Sequence, residues 1–293
     1  MKRLIGVAVA AATAIAGCSS SSTVASSSTG TAPTSGTSGS GTVNVLYAGS
    51  LVKLMETEIG PDFKKSTGYD FSGFGAGSTG LAQQIKGKVR KGDVFLSASP
   101  EADKLLEGEA NGNWVSWYIT FGSSKLVLGI NPKSRFANDL KSKPWFDVIA
   151  QPGFKVGFTD PKTDPKGKFT AVALQQAGQA HPALNKIAAN PKNVFPEETL
   201  VANLQSGQLD AGFFYTSEAK TANIQTVPLA GVNLGAKYTV TILKGAPNEA
   251  GAKAFVEYLL GAQVQDIFKD AAFTIGTPPT ADGTVPPGLL PTK

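Results

Sequence analysis

Three short segments carry small polar residues where a strand pattern gives way to a helix pattern. They are Gly49-Ser50, Gly77-Ser78-Thr79 and Asp164-Pro165-Lys166-Gly167. A helix start has unpaired backbone N–H groups and a partial positive charge, and hydroxyls add rotatable donors. Several such starts facing one cleft would bind a small anion without a full counter-charge. The alternative is that each residue only caps its own helix, as Asp164 before Pro165 is suited to do.

Catalytic chemistry has little support in this sequence. His181 is the only histidine and Cys18 the only cysteine, so neither a nucleophile–histidine pair nor a zinc site is expected. The acidic residues are scattered, and no spacing pairs two of them for acid–base work. We therefore predict no catalytic residues, no metal site and no cofactor.

One motif suggests a nucleotide instead. Residues 75–80, GAGSTG, match the G-x-G-x-x-G pattern between a strand and a helix, with Asp93 near the acidic position of that fingerprint. However, the match lies on the second strand–helix unit, and Asp93 opens the third strand instead of ending one. We do not predict dinucleotide binding.

The amino terminus predicts export. Lys2 and Arg3 precede an apolar segment, Leu4 to Ala16, which is typical of a secretory signal peptide over residues 1–17. The residues before Cys18 resemble a bacterial lipoprotein box, which implies cleavage before Cys18 and lipid on its sulfur. We expect an extracytoplasmic protein anchored in the membrane by this lipid. The alternatives are an ordinary cleaved signal and a non-cleaved anchor.

Residues 18–42 predict a disordered linker, because after Cys18 they are nearly all Ser, Thr, Gly, Ala and Pro. The folded part should begin near Val43. The chain has 27 Lys and Arg against 22 Asp and Glu, and loss of Lys2 and Arg3 with the signal leaves 25 − 22 = +3. Without a dense basic run, this balance does not predict a nucleic-acid partner.

The folded part alternates strand and helix patterns. Strands are predicted at 43–47, 69–74 and 93–97, with helices at 51–67 and 78–89 between them, which favours an α/β fold with a mostly parallel sheet. Pro61 should interrupt the first helix, and Val89 should lie on the buried face of the second. The proline-rich residues 278–293 show no strand or helix pattern.

Several segments in order resemble one family. VLYAGSL, GAGSTGLAQQI and GDVFLSAS resemble the first lobe of periplasmic solute-binding proteins of ABC transporters. TDPKTDPKGK and LQSGQLDAGFFYTSEA resemble the archaeal-type branch of molybdate- and tungstate-binding proteins. The carboxy-terminal helices, from GAPNEAGAKAF onward, are also similar. The resemblance covers about Val43 to Thr277.

The resemblance implies a type II periplasmic-binding-protein fold with a ligand cleft between two lobes. Lobe 1 would comprise 43–121 plus 238–293, and lobe 2 would comprise 122–237. The implied oxyanion donors are Ser50 and Ser78 from lobe 1, and the backbone around Asp164 to Lys166 together with Tyr215 from lobe 2. The helix starts add Gly49, Thr79 and Lys166 to the candidate ligand-binding residues. A glutamate that precedes the matching tyrosine in this branch, and helps an aspartate to hold the metal, is Phe214 here. Asp164 would then either cap its helix or be the only carboxylate ligand.

We therefore interpret the sequence as a monomeric, lipid-anchored receptor that passes molybdate or tungstate to an ABC transporter permease. The same fold could bind sulfate, phosphate, iron or a small organic anion instead. An extracellular enzyme on this scaffold is the alternative from another class, which the shortage of His and Cys disfavours.

Overall fold

The computed structural model describes residues 39–290, with the side chains of residues 198 and 277 excepted. The predicted signal peptide, Cys18 and most of the predicted linker lie outside the described residues. Order begins slightly earlier than expected, since Gly39 N donates to Thr67 O over 2.9 Å and the first strand starts at Thr42.

Nine strands lie in the described part of the chain. They are β1 Thr42–Ala48, β2 Asp70–Ala76, β3 Val94–Ser97, β4 Trp117–Ile130, β5 Val156–Gly157, β6 Ala211–Tyr215, β7 Gln225–Pro228, β8 Gly235–Ile242 and β9 Thr274–Gly283.

Twelve α-helical segments accompany these strands within residues 39–290. They are α1 Val52–Leu54, α2 Gly60–Thr67, α3 Ser78–Lys86, α4 Pro100–Lys104, α5 Ala137–Ser142, α6 Trp145–Ile149, α7 Pro165–Gly178, α8 Ala183–Ala188, α9 Glu197–Gln205, α10 Thr216–Thr221, α11 Glu249–Leu260 and α12 Ala262–Asp270. None of the described helices has the length and apolar character needed to cross a bilayer.

The strands follow the order β2-β1-β3-β8-β4-β6-β5, with β7 and β9 also paired to β4. The predicted α/β class is confirmed, but the sheet is mixed instead of mostly parallel. Only β1–β2, β1–β3 and β5–β6 are parallel, and every pairing of β4 or β8 is antiparallel. The long strand β4 causes this difference, because its first half pairs with β8 and β9 and its second half with β6 and β7.

Three local predictions were wrong. Pro61 does not interrupt the first helix: a π-helical turn, Met55–Ile59, leads directly into α2. This wider turn changes the hydrogen-bond pattern just before Pro61, the residue that has no N–H to donate. Helix α3 ends at Lys86, so Val89 is 80% exposed instead of buried. The expected tail contributes to β9, whose residues 280–283 pair with 117–120 of β4.

The carboxyl ends of β1, β2 and β6 lead directly into the predicted site segments. Apolar side chains hold these strands in place, with Val43, Val45 and Tyr47 of β1 fully buried. At the opposite end of β3, the carboxylate of Asp93 accepts hydrogen bonds from Asn44 N at 2.7 Å and Asn248 N at 2.6 Å. Asp93 therefore joins β1 and β3 to the start of α11.

The described residues belong to one compact unit. Helix α11 packs on α2, β1 and β8, which brings the carboxy-terminal region back to the first strands. The lobe boundaries at 121/122 and 237/238 stay a prediction.

Candidate functional site

The two predicted serines lie at neighbouring strand ends. Ser50 follows β1, and its Oγ is 2.9 Å from the hydroxyl of Tyr238, where either group can donate. Ser78 begins α3 and is 1% exposed, and its Oγ accepts a hydrogen bond from Ala98 N over 3.0 Å. Because that bond uses an oxygen lone pair, the Ser78 hydroxyl keeps its hydrogen for another acceptor.

Asp164 caps α7, as its position before Pro165 predicts. Its φ of −130° and ψ of 126° are extended, and its Oδ1 accepts a hydrogen bond from Lys166 N over 2.7 Å. The side chain is nevertheless buried, and the nearby charge of Glu197 adds to burial in raising its pKa. Capping and a position in the cleft are therefore compatible for this residue.

Glycines let the two sides of the site approach closely. A Cβ on Gly77 would lie 2.4 Å from the backbone oxygen of Thr163, and a Cβ on Gly49 would lie 2.4 Å from Cγ of Glu197. Gly80 N also donates to Thr163 O over 2.9 Å. Thr79 is half-buried in the first turn of α3, next to this contact. Backbone therefore excludes a larger residue at position 77, and the Glu197 side chain fills the space that a larger residue at position 49 would need.

Lys166 is the charged centre of the site. Its Nζ is 2.8 Å from Glu197 Oε1 and 2.8 Å from both carboxylate oxygens of Glu218, and the lysine side chain is 1% exposed. Burial opposes the charge on Lys166, but the two glutamates and Asp164 outweigh it and raise the lysine pKa above its usual value. Lys166 therefore stays protonated, and its ammonium group already donates to Glu197 and Glu218.

The acids around Lys166 outnumber it. Burial, then the nearby charge of Glu197, raises the pKa of Asp164 to about 7. Burial and Glu197 also raise the pKa of Glu218 well above its ordinary value. A proton held between Asp164 and Glu197 would give Glu197 Oε2 a donor, which that atom lacks among the described residues.

Tyr215, at the end of β6, contributes a free hydroxyl. The residue is 1% exposed, and its Oη has no hydrogen-bond partner in the described part of the chain. Its ring meets that of Tyr238 edge-on, with centroids 6.2 Å apart. A buried hydroxyl without a partner is costly, so this atom indicates a place for a ligand oxygen. Burial and the charge of Asp164 raise the pKa of Tyr215 well above 10, so the hydroxyl keeps its proton.

Open space flanks the contact between Gly49 and Glu197. One cavity of about 430 Å³ is lined by Gly77, Thr159, Asp164 and Glu197 among others. A second, of about 440 Å³, includes Ser50 and Glu197 in its wall. Glu197 borders both cavities, so a ligand in either cavity would lie next to its side chain.

The structure thus brings together the predicted residues Gly49, Ser50, Ser78, Asp164, Lys166 and Tyr215. Sequence reasoning missed Glu197, Glu218 and Tyr238, and it described the acids as scattered. The local signal at Glu218 was a helix start, since its carboxylate accepts from Tyr215 N over 3.3 Å in the manner of a capping box. Nothing local indicated that Glu218 also reaches Lys166.

Phe214 departs from the branch pattern in an apolar setting. It is fully buried among Leu200, Leu204 and Leu209, and its ring centroid is 5.2 Å from Lys166 Nζ. In residues 39–290, no three or more His, Cys, Asp or Glu side chains are arranged to hold a metal ion. The ammonium of Lys166 takes the central position among the acids.

The fold is that of periplasmic binding proteins. The Azotobacter vinelandii periplasmic molybdate-binding protein superposes with a TM-score of 0.66 at 20% identity, over 80% of this chain and 99% of that chain. The sulfate-binding protein SubI from Mycobacterium tuberculosis superposes with a TM-score of 0.59 at 15% identity, over 79% and 86% of the two chains. At these identities the similarity establishes the fold alone.

Sequence comparison gives the family. The chain belongs to the bacterial extracellular solute-binding proteins, whose family model matches residues 43–274. It is 25% identical to the molybdate/tungstate-binding protein WtpA of Thermococcus kodakarensis, over 84% of this chain and 85% of that protein. It is 27% identical to an uncharacterized solute-binding protein of Petrotoga mobilis, over 79% and 83%. The family resemblance inferred from the sequence is therefore confirmed.

Proposed function

We propose that this chain is a lipid-anchored, extracytoplasmic receptor that captures molybdate or tungstate for an ABC importer and performs no catalysis. The main support for a ligand site here is the hydroxyl of Tyr215, which is buried and has no hydrogen-bond partner among the described residues. The family, and similarity to the molybdate/tungstate-binding protein WtpA, support the choice of ligand.

Hydrogen-bond donors would hold the oxyanion. Tyr215 Oη and the free hydrogen of Ser78 are two, and the Ser50–Tyr238 pair leaves a third, because only one of its hydroxyls donates to the other. The starts of α3 and α7 add backbone N–H groups and partial positive charge. Such a site needs no metal–carboxylate bond, so a bound molybdate would stay tetrahedral.

Protonation decides whether a dianion is tolerated. A charged Asp164 beside Glu197 would repel it, whereas a neutral Asp164 would not. Because the pKa of Asp164 is raised to about 7, the neutral form is present at and below neutral pH. Lys166 offsets part of the charge on the two glutamates.

Thermal unfolding of the folded domain against molybdate, tungstate, sulfate, phosphate and arsenate tests the ligand. A ligand at about 100 times its dissociation constant should add about 2.7 kcal/mol to the free energy of unfolding. Tyr215→Phe is the matched control, because it removes one oxygen and should reduce this gain. Absence of stabilisation by molybdate and tungstate would refute the ligand assignment.

A second candidate ligand is an oxyanion that carries a hydrogen, such as hydrogenphosphate. Glu197 Oε2 favours it when Asp164 is ionised, because this buried acceptor then has no donor among the described residues and an O–H group on the ligand would satisfy it. Greater stabilisation by phosphate and arsenate than by molybdate would select this candidate. Glu197→Gln should then weaken phosphate binding more than sulfate binding.

The proposed anchor is tested separately. Metabolic labelling with a fatty acid should mark the wild-type chain and leave Cys18→Ser unmarked. Release of Cys18→Ser into the medium, or retention of its uncut precursor, is the matching expectation. An unlabelled wild type would refute lipidation without bearing on the ligand.

A further inference from the structure

A strongly basic loop lies outside the proposed ligand site. Residues 86–92, KGKVRKG, connect α3 to β3, and we call this segment the basic loop. Lys86, Lys88 and Lys91 are exposed, and Val89 at its tip is 80% exposed. The loop therefore presents three exposed lysines around one exposed apolar side chain.

The loop is held in place by its neighbours. The guanidinium of Arg90 lies 3.3 Å from the ring centroid of Phe74, and its Nε donates to Gln84 Oε1 over 3.1 Å. Lys88 adopts a positive φ of 57°, which turns the chain so that Val89 projects outward. The cations are therefore displayed on an ordered support.

A groove of about 290 Å³ adjoins the loop. Its wall includes Lys88, Arg90, Lys91 and Lys244, together with the half-buried Trp114. None of these four cations forms an ion pair in the described part of the chain. The groove thus combines uncompensated positive charge with an aromatic residue common at membrane interfaces.

Topology places this groove where the amino-terminal segment enters the domain. β1 and β3 are parallel, so the loop before β3 lies at the end of the sheet where β1 begins. Asn248, close after Lys244, donates from its side chain to Thr42 O over 3.2 Å. The described chain therefore enters β1 at the basic end, and the proposed lipid site at Cys18 lies upstream of this point in the sequence.

The ligand site lies at the other end of the same strands. Ser50 follows the carboxyl end of β1, and seven strand residues separate the two ends. At about 3.3 Å per residue this is on the order of 20 Å. A surface bound at the basic end would leave the cleft accessible.

We propose that the basic loop, with Lys244, is a docking surface for a membrane rich in anionic lipids, and that Val89 inserts among the headgroups. Charge complementarity and the entry point of the amino-terminal segment favour a bilayer over a protein partner. Glu101, Glu109 and Glu249 are exposed acids near these segments in sequence, Glu107 is half-buried, and all four would limit the attraction. Asp93 is buried and already accepts hydrogen bonds from Asn44 N and Asn248 N. The inference rests on the proposed membrane location and is independent of the ligand.

Flotation of residues 39–293 with lipid vesicles tests the docking surface. This segment is a suitable sample because residues 38–293 form one compact unit with its own hydrophobic core. Vesicles contain phosphatidylcholine alone or equal parts of phosphatidylcholine and phosphatidylglycerol. The domain should float with the anionic vesicles only, and added salt should release it.

Each basic residue near an anionic surface contributes a factor of about five in binding. Lys88→Gln/Lys91→Gln should therefore weaken vesicle binding about 25-fold, and Val89→Ser should weaken it further. Lys141→Gln/Lys186→Gln, on exposed positions of α5 and α8, is the matched control with the same net charge and should bind like wild type. The thermal shift with oxyanion should be unchanged in all of these variants.

Three results would overturn the proposal: equal losses in both double variants, equal flotation with neutral vesicles, and no flotation with anionic vesicles. Binding that requires the importer's membrane subunits in the vesicle would also overturn it and assign the surface to the permease. Because the oxyanion shift is measured on the same samples, failure of docking and failure of the proposed function are distinguishable.

Discussion

Replacement of Asp164 by asparagine separates the charge of this residue from its role as a helix cap. Asparagine is also a good N-cap, so its side-chain oxygen should still accept from Lys166 N. What the change removes is a buried titrating group, whose pKa is raised to about 7 by burial and by Glu197. Oxyanion binding should therefore depend on pH in the wild type and much less in the variant.

The size of the effect follows from proton linkage. If only the neutral carboxyl admits a dianion, the apparent dissociation constant rises by a factor of 1 + 10^(pH − pKa). With a pKa of about 7 for Asp164, the factor is about 1.1 at pH 6 and about 11 at pH 8. The wild type should thus lose about tenfold in affinity over this interval, on the order of 1 kcal/mol.

The raised pKa of Asp164 also makes the free energy of unfolding depend on pH. An acid whose pKa is higher in the folded state binds more protons in that state than in the unfolded state. Its contribution to the free energy of unfolding is therefore complete below the unfolded pKa of about 4 and declines as the pH rises. Wild-type stability should fall from this cause between about pH 4 and pH 7 and then level off. Asp164→Asn should lack this decline and be the more stable protein at pH 8.

Calorimetric titration with molybdate or tungstate at pH 6, 7 and 8 measures the affinities of both proteins. Comparison at each pH cancels the titration of the ligand itself. Affinity that is flat from pH 6 to pH 8 in the wild type, or that falls in parallel in the variant, would refute the role assigned to Asp164.

Three further substitutions test the geometry. Gly77→Ala places a Cβ 2.4 Å from the backbone oxygen of Thr163 and should weaken oxyanion binding at least tenfold in calorimetry, whereas Gly80→Ala, whose Cβ would be 3.4 Å from Thr163, should bind like wild type. Tyr215→Phe should weaken binding by about ten- to a hundredfold, because hydrogen bonds to charged groups contribute about 1.5–3 kcal/mol. The melting temperature of the free protein should not fall. Equal affinity in the variant and the wild type would show that this hydroxyl does not contact the ligand. Lys166→Met should lower the free energy of unfolding by about 3–5 kcal/mol at pH 8 in denaturant titrations, because it leaves two buried glutamates without their cation. A much smaller loss would contradict the pairing of Lys166 with these glutamates.

Strands with short apolar runs between turn residues were predictable. Residues 43–47 and 211–215 are such runs, and they form β1 and β6 with nearly the expected ends. Helix ends were less predictable, because the spacing of apolar residues can continue in the sequence beyond the residue where the helix ends. Val89 continues the apolar spacing of α3, but the chain leaves the helix at Gly87 and turns at Lys88.

Pairing between distant segments was not predictable from local pattern. Pro278 and Pro279 argue against a strand, and β9 accommodates them where its register with β4 shifts. Paired residues lie on either side, at 274–275 and at 280–283. The missing N–H groups of proline therefore cost no ladder bond.

The sequence by itself determined the family, the strand ends that carry Ser50 and Ser78, and the cap at Asp164, because these depend on residues close together in the chain. Only the tertiary structure decided the electrostatics of the site. Glu197 and Glu218 lie 31 and 52 residues beyond Lys166, yet both reach its ammonium. Burial and charge act through space, so the pKa of a buried acid depends on neighbours that the order of residues does not reveal.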